Sequence, residues 1–179
     1  MRNWNVVATV AEGKFGQALR FLDRFAAVGK TAYYNVLMLQ ADDVLGLMEA
    51  LLAEQQACAG EPFFLHRAIP VTHTFSFDSR QEFENQAVET VLAWVPKLAD
   101  RSFFVRMHRR GFKGRLSSVE EEKFLDEVIL EILGRSGRSG QVVFDDPDAI
   151  VAVETVGTQA GMSCWFREQL RRYPFLVFE

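Results

Sequence analysis

The chain has 179 residues, of which 49% are hydrophobic and 25% charged, with twelve Gly and five Pro. Those proportions exclude intrinsic disorder, collagen and low-complexity arrays, and the length suits one large domain or two small ones. Net charge is −4, from 20 Lys and Arg against 24 Asp and Glu, an average that by itself argues against nucleic-acid binding. Cys58 and Cys164 are far apart and form no CxxC pair, so neither a disulfide framework nor a structural zinc site is expected. No apolar run approaches the roughly 18 residues of a membrane span, and the N-terminus lacks a basic-then-apolar leader. A cytoplasmic address without membrane attachment is expected.

In chain order, residues 3–10 (NWNVVATV) read as a buried strand. A helix from about Lys14 to Ala27 follows, with Phe15, Leu19, Leu22 and Phe25 at helical spacing and Gly29 as its stop. Residues 32–39 form an aromatic-rich strand, and Ala41 or Asp42 opens a helix running to about Ala57. Gly60-Glu61-Pro62 is a turn, and residues 63–69 and 71–77 are two strands broken at Pro70. The result is a β-α-β-α-β-β unit over residues 1–78, a small two-layer α/β domain.

Asp78-Ser79 caps a helix over 80–95, with Phe83, Ala87, Val88, Val91 and Leu92 as its buried stripe and Pro96 as its end. Residues 102–108 (SFFVRMH) form a strand with Phe103, Val105 and Met107 on one face and Phe104, Arg106 and His108 on the other. The loop RRGFKGR follows. Ser117 or Ser118 then caps a helix over 118–133, with Glu120 or Glu121 completing a capping box. GRSGRSG (134–140) is a flexible connection carrying Arg135 and Arg138. Strands at 141–144, 149–156 and 161–166, with a turn at Asp145–Asp148, complete a second sheet. A short basic helix, Arg167–Arg172, precedes an aromatic tail.

Familiar chemistry is missing. There is no GxGxxG and no GxxxxGK followed by Ser or Thr, so dinucleotide and P-loop sites are not expected. His66, His73 and His108 form no metal-ligand pair, Cys164 has no assignable base, and Asp145, Asp146 and Asp148 read as turn chemistry. No catalytic residue, cofactor or metal site is expected.

The charge is unevenly spread. Residues 1–96 hold 7 basic against 11 acidic side chains, and residues 116–179 hold 6 against 12. Between them, residues 97–115 hold Lys97, Arg101, Arg106, Arg109, Arg110, Lys113 and Arg115 against Asp100 alone. Such an island is a local field that attracts polyanions. Gly111 and Gly114 let the loop backbone approach a ligand, and the planar guanidinium fork matches phosphate oxygens. Phe112, mid-loop, either stacks on a base or folds back onto the core. Engaging about four to six phosphates would give a log–log salt slope of roughly −0.7 to −0.9 per contact.

Residues 102–164 resemble a THUMP domain, an RNA-binding module of certain tRNA thiolation enzymes, methyltransferases and pseudouridine synthases. The matching stretches are Phe104-Val105-Arg106-Met107-His108-Arg109-Arg110-Gly111, then the long amphipathic helix. Asp146-Pro147-Asp148 leading into Ile150–Thr155, and Gly161-Met162-Ser163, are similar to its later landmarks. Order and spacing agree over residues 79–179, and residues 1–78 are similar to the ferredoxin-like companion that often precedes THUMP. The resemblance is to stand-alone THUMP proteins related to the eukaryotic adaptor for tRNA cytidine acetylation.

The resemblance implies a grip on the tRNA acceptor region and 3′ end, carried to Arg106, Arg109 and Arg110. His108 stands where the family often has lysine. The charge pattern adds Lys113, Arg115, Arg135 and Arg138, and Phe112 as a stacking surface. The thiolation, methylation and pseudouridylation members carry a catalytic domain with no counterpart after Glu179. The expected protein is therefore a two-domain α/β RNA-binding accessory, ferredoxin-like over 1–78 and THUMP-like over 79–179. It would present tRNA to a separate modifying enzyme, an acetyltransferase by resemblance. One rival is a small phosphate-ester enzyme of acylphosphatase-like type, although its loop Ala11–Gly16 offers only Lys14 as a cation. Another is a protein-interaction module docking through Arg167–Arg172 and the tail residues Tyr173, Phe175 and Phe178.

Overall fold

A computed structural model describes residues 1–179 as two compact units, one formed by Met1–Val71 with Leu170–Glu179 and the other by Thr72–Gln169. No helix is long and apolar enough to cross a membrane.

The first unit runs β1 (Val6–Val10), α1 (Phe15–Leu22), β2 (Ala27–Lys30), β3 (Val36–Gln40), α2 (Val44–Ala57) and β4 (Leu65–Pro70). Its sheet has the order β2-β3-β1-β4, antiparallel throughout. Two split β-α-β halves with this connectivity make a ferredoxin-like unit. The expected β-α-β-α-β-β order is corrected at two places. Ala27–Lys30 is an edge strand on β3 rather than the end of a helix, because α1 stops at Leu22. Residues 73–76 leave this unit altogether. α2 opens one residue later than expected, at Asp43, whose side chain accepts from the Gly46 N–H at 2.8 Å. The C-terminal tail completes the unit. The Ala68 N–H donates to the Phe175 carbonyl at 3.0 Å. Arg67 Nε donates to the Val177 carbonyl at 3.1 Å, and the Tyr173 hydroxyl donates to Glu49 at 2.6 Å.

Tyr173, Phe175, Leu176 and Phe178 are accordingly buried. This corrects the idea of an aromatic tail free to dock a partner, since the tail is core. It also moves residues 170–179 out of the second domain as drawn from sequence.

The second unit runs β5 (His73–Ser76), α3 (Arg80–Leu92), α4 (Val95–Leu98), β6 (Ser102–His108), α5 (Ser118–Arg135), β7 (Gln141–Val142), β8 (Ala149–Val156) and β9 (Gln159–Phe166), followed by α6 (Arg167–Arg172), within which the division between the units falls. Its sheet order is β5-β9-β8-β6-β7, with β6 parallel to both β7 and β8 and the other pairs antiparallel. The boundary falls before Thr72 rather than after Asp78 because β5 pairs with β9, His73 opposite Met162. One core joins Phe83, Ala87 and Val91 of α3, Leu125, Ile129 and Leu133 of α5, and Phe103, Val105 and Met107 of β6. The period-two strand and the 3.6-period helix thus turn the same face to each other. α5 begins as its sequence dictates, with Ser117 Oγ accepting from the Glu120 N–H at 3.4 Å. Pro96 does not end the upstream helix but sits in the first turn of α4, where its missing N–H costs nothing.

Candidate nucleic-acid interface

β6 delivers the basic loop. Phe103, Val105 and Met107 point into the core, which forces Phe104, Arg106 and His108 onto the opposite face. After His108 the chain folds tightly, with positive φ at Gly111 (92°), Phe112 (54°) and Gly114 (79°). The Arg110 backbone ties the loop to the end of β8: its N–H donates to Thr155 Oγ1 at 3.0 Å, and its carbonyl accepts from the Gly157 N–H at 2.8 Å. The Phe112 carbonyl accepts from the N–H groups of both Arg115 and Leu116 at 3.1 Å. The Phe112 ring meets Phe77 edge-on, centroids 4.9 Å apart, and carries the Arg115 guanidinium 3.9 Å from its centroid. Of the two readings of Phe112, the core-facing one describes its ring.

The charges divide into two groups. Arg110 is bonded to Glu154 at 2.7 Å, a carboxylate that is fully buried. His108 Nδ1 lies 3.7 Å from the same carboxylate. Arg106 lies over the Phe104 ring, with Nη1 3.6 Å from Glu122. Arg135 pairs with Glu131. Arg138 pairs with Asp100, whose carboxyl is held down at about 2 by Arg138 and Ser139. The expectation of one continuous cationic grip is therefore narrowed. Arg106, His108, Arg110, Arg135 and Arg138 each face a carboxylate of the chain itself.

Arg109, Lys113 and Arg115 do not. The Arg109 guanidinium donates to the Gly111 carbonyl, bracing the loop while keeping its charge. Lys113 and Arg115 are exposed. Arg109 and Arg115 border a cleft of about 330 Å³ with Arg80, Ser117, Ser118 and Glu120. Guanidinium forks beside two hydroxyls suit a phosphate oxygen. Arg80, missed by the sequence reading, lies on α3, upstream of the island. Its charge is claimed by Glu84 at 2.8 Å, Glu120 at 2.7 Å and Glu121 at 2.9 Å. Burial pushes Glu121 up to about 7, opposed by Arg80.

Other candidates resolve into architecture. Asp148 accepts from the Ser102 N–H at 2.8 Å and hydroxyl at 3.0 Å, and holds Arg167 at 2.9 Å. The Asp-Pro-Asp landmark thereby clamps the start of β8 to the start of β6. Burial pushes the Cys164 thiol up to about 12, which keeps it protonated. No group of three or more His, Cys, Asp or Glu is placed to hold a metal ion.

No family model matches the sequence, and no curated protein does. Solved structures do match. PH1313 from Pyrococcus horikoshii aligns with TM-score 0.60 and 12% identity over 90% of this chain and 54% of its own. TrmN from Thermus thermophilus aligns with TM-score 0.60 and 20% identity over 90% of this chain and 44% of its own. A 4-thiouridine synthetase, solved in complex with RNA and bound ATP, aligns with TM-score 0.52 and 13% identity over 91% of this chain and 42% of its own. The fold is THUMP-like. At these identities the likeness is one of fold alone, and the chain spans about half or less of the length of each structure it matches. Within this THUMP-like fold, the basic loop is the turn between the central parallel strand β6 and the long helix α5.

Proposed function

We propose that the chain binds RNA, and tRNA in particular, through the 109–115 loop, holding the acceptor region for modification chemistry supplied by a separate enzyme. One observation carries the reading. Arg109, Lys113 and Arg115 are cations without a carboxylate of the chain against them, on a loop braced by Thr155, Gly157 and Phe77. A braced loop loses little entropy on binding, so its phosphate contacts appear more fully as affinity. The shared fold of the RNA-bound 4-thiouridine synthetase supports the same reading. Phosphates would supply affinity, and an unpaired 3′ end would supply preference.

Binding of tRNA, and of tRNA trimmed of its 3′ end, measured across a salt series tests it. The intact tRNA should bind more tightly, with a negative log–log slope reflecting about three phosphate contacts. Equal affinity for both tRNAs would remove the 3′ end from the reading, and a flat salt response would remove the loop.

A further inference from the structure

A second cationic cleft, of about 850 Å³, opens at the start of β6, and all of its lining belongs to the second unit. β6 has seven residues, and a strand rises about 3.3 Å per residue, so roughly 20 Å separate this cleft from the 109–115 loop. Three cations line it, Lys97, Arg101 and Arg167, against the acids Asp148 and Glu168. Asp148 accepts from Ser102 and holds Arg167 at 2.9 Å, which neutralises that pair. Lys97 and Arg101 have no ion-pair partner in the chain. The Arg101 guanidinium lies over the Phe166 ring, 5.5 Å from its centroid, as Arg115 lies over Phe112. Its main chain is fixed on both sides, the N–H donating to the Leu98 carbonyl at 3.2 Å and the carbonyl accepting from Gln141 at 3.1 Å. A cation mounted in this way loses little freedom when an anion arrives. Gln169 Oε1 accepts from the Phe166 N–H at 3.0 Å, which leaves its NH2 group to donate into the cleft. Glu168 is exposed at the start of α6 and pairs with no cation.

We propose that this cleft binds a nucleoside monophosphate, either free or as the 5′-phosphorylated end of an RNA. A phosphate monoester carries close to two negative charges at neutral pH, and Lys97 with the edge of the Arg101 fork supplies two positive ones. The outer face of the same guanidinium is a plane on which a base stacks. Glu168 accepts from sugar hydroxyls, and the Gln169 amide donates to the base. The volume lies within the range of clefts that hold small ligands. This site is distinct from the 109–115 loop and does not rest on the RNA reading of it.

Calorimetric titration of the full chain with AMP tests the proposal, beside adenosine, which lacks the phosphate, and 3′,5′-cyclic AMP, whose diester carries a single charge. AMP should saturate one site, and both controls should bind at least tenfold more weakly. A four-nucleotide RNA with and without a 5′-phosphate, titrated into the Arg109→Glu, Arg115→Glu variant, separates the two sources. Tighter binding of the phosphorylated RNA than of AMP assigns the site to an RNA end, and the reverse order assigns it to a free nucleotide. Lys97→Ala and Arg101→Ala should each weaken the preferred ligand about tenfold. Both variants should keep wild-type affinity for tRNA stripped of its 5′-phosphate, which separates failure here from failure of the loop reading. Absence of binding by AMP and phosphorylated RNA alike, binding of adenosine or the cyclic diester as tight as that of AMP, or unchanged affinity in both variants would overturn the proposal.

Discussion

The central carbon of the Arg115 guanidinium lies over the Phe112 ring, 3.9 Å from its centroid, while Phe112 itself sits at φ 54°. A bulky aromatic rarely occupies that left-handed region, so the ring contacts to Phe77 and Arg115 must offset the backbone cost. On the proposed reading, Phe112 would act on RNA through Arg115, as a platform that presents the guanidinium.

Substitution separates the ring from the backbone. Both Phe112→Ala and Phe112→Gly should weaken tRNA binding several-fold. Glycine accepts the left-handed conformation freely, so Phe112→Gly should be more stable than Phe112→Ala by about 1 kcal/mol. Urea denaturation of the pair, alongside binding curves, checks this. Wild-type affinity in both variants would remove Phe112 from the interface.

The arginines should fall into two classes. Arg109→Glu with Arg115→Glu should lower tRNA affinity at least tenfold and flatten the salt slope by roughly 0.7–0.9 per lost contact, with little change in Tm. Arg110→Ala leaves the fully buried Glu154 without its 2.7 Å partner and should destabilise the protein by about 3 kcal/mol. Thermal melts and filter binding on the same samples distinguish the classes. A stable Arg110→Ala variant with abolished binding would return Arg110 to the RNA contacts.

Asp126 predicts a pH dependence of stability. Burial pushes its carboxyl up to about 7, against the pull of the Val105 N–H. The folded state therefore holds this proton more tightly than the unfolded chain does. The contribution is fully present below the unfolded value near 3.8, and it is lost as pH rises toward and through about 7. Asp126→Asn keeps the acceptor for Val105 and removes the titration. Its Tm should exceed wild type at pH 8 by a few degrees, with the gap closing toward pH 5. A gap that stays constant with pH would refute the assignment.

The tail should behave as core. Phe175 is 1% exposed, so Phe175→Ala should cost about 3–5 kcal/mol. Tyr173→Phe, which loses only the hydroxyl bond to Glu49, should cost about 1 kcal/mol. Denaturant midpoints read both. A Phe175→Ala variant as stable as wild type would contradict the packing of the tail into the first unit.

Local pattern was enough for the elements whose burial follows their own periodicity. The strand at 102–108, the helix beginning at Ser118 and the strand at 149–156 stand where the apolar spacing puts them. The mixed α/β fold, and the position of the basic loop between strand and helix, follow from that spacing as well. Pairing across long sequence separations was decided elsewhere. Ala27–Lys30 became a strand because β3 offered an edge, and residues 73–76 joined β9 rather than β4. Phe175 returned to Ala68 across more than a hundred residues. The charge count likewise marked the island but could not divide it. Arg110 meets Glu154, 44 positions away, whereas Arg109 next to it meets only the loop's own backbone. Periodicity records which way a side chain faces along its own element; which carboxylate it faces depends on a strand brought alongside only by folding.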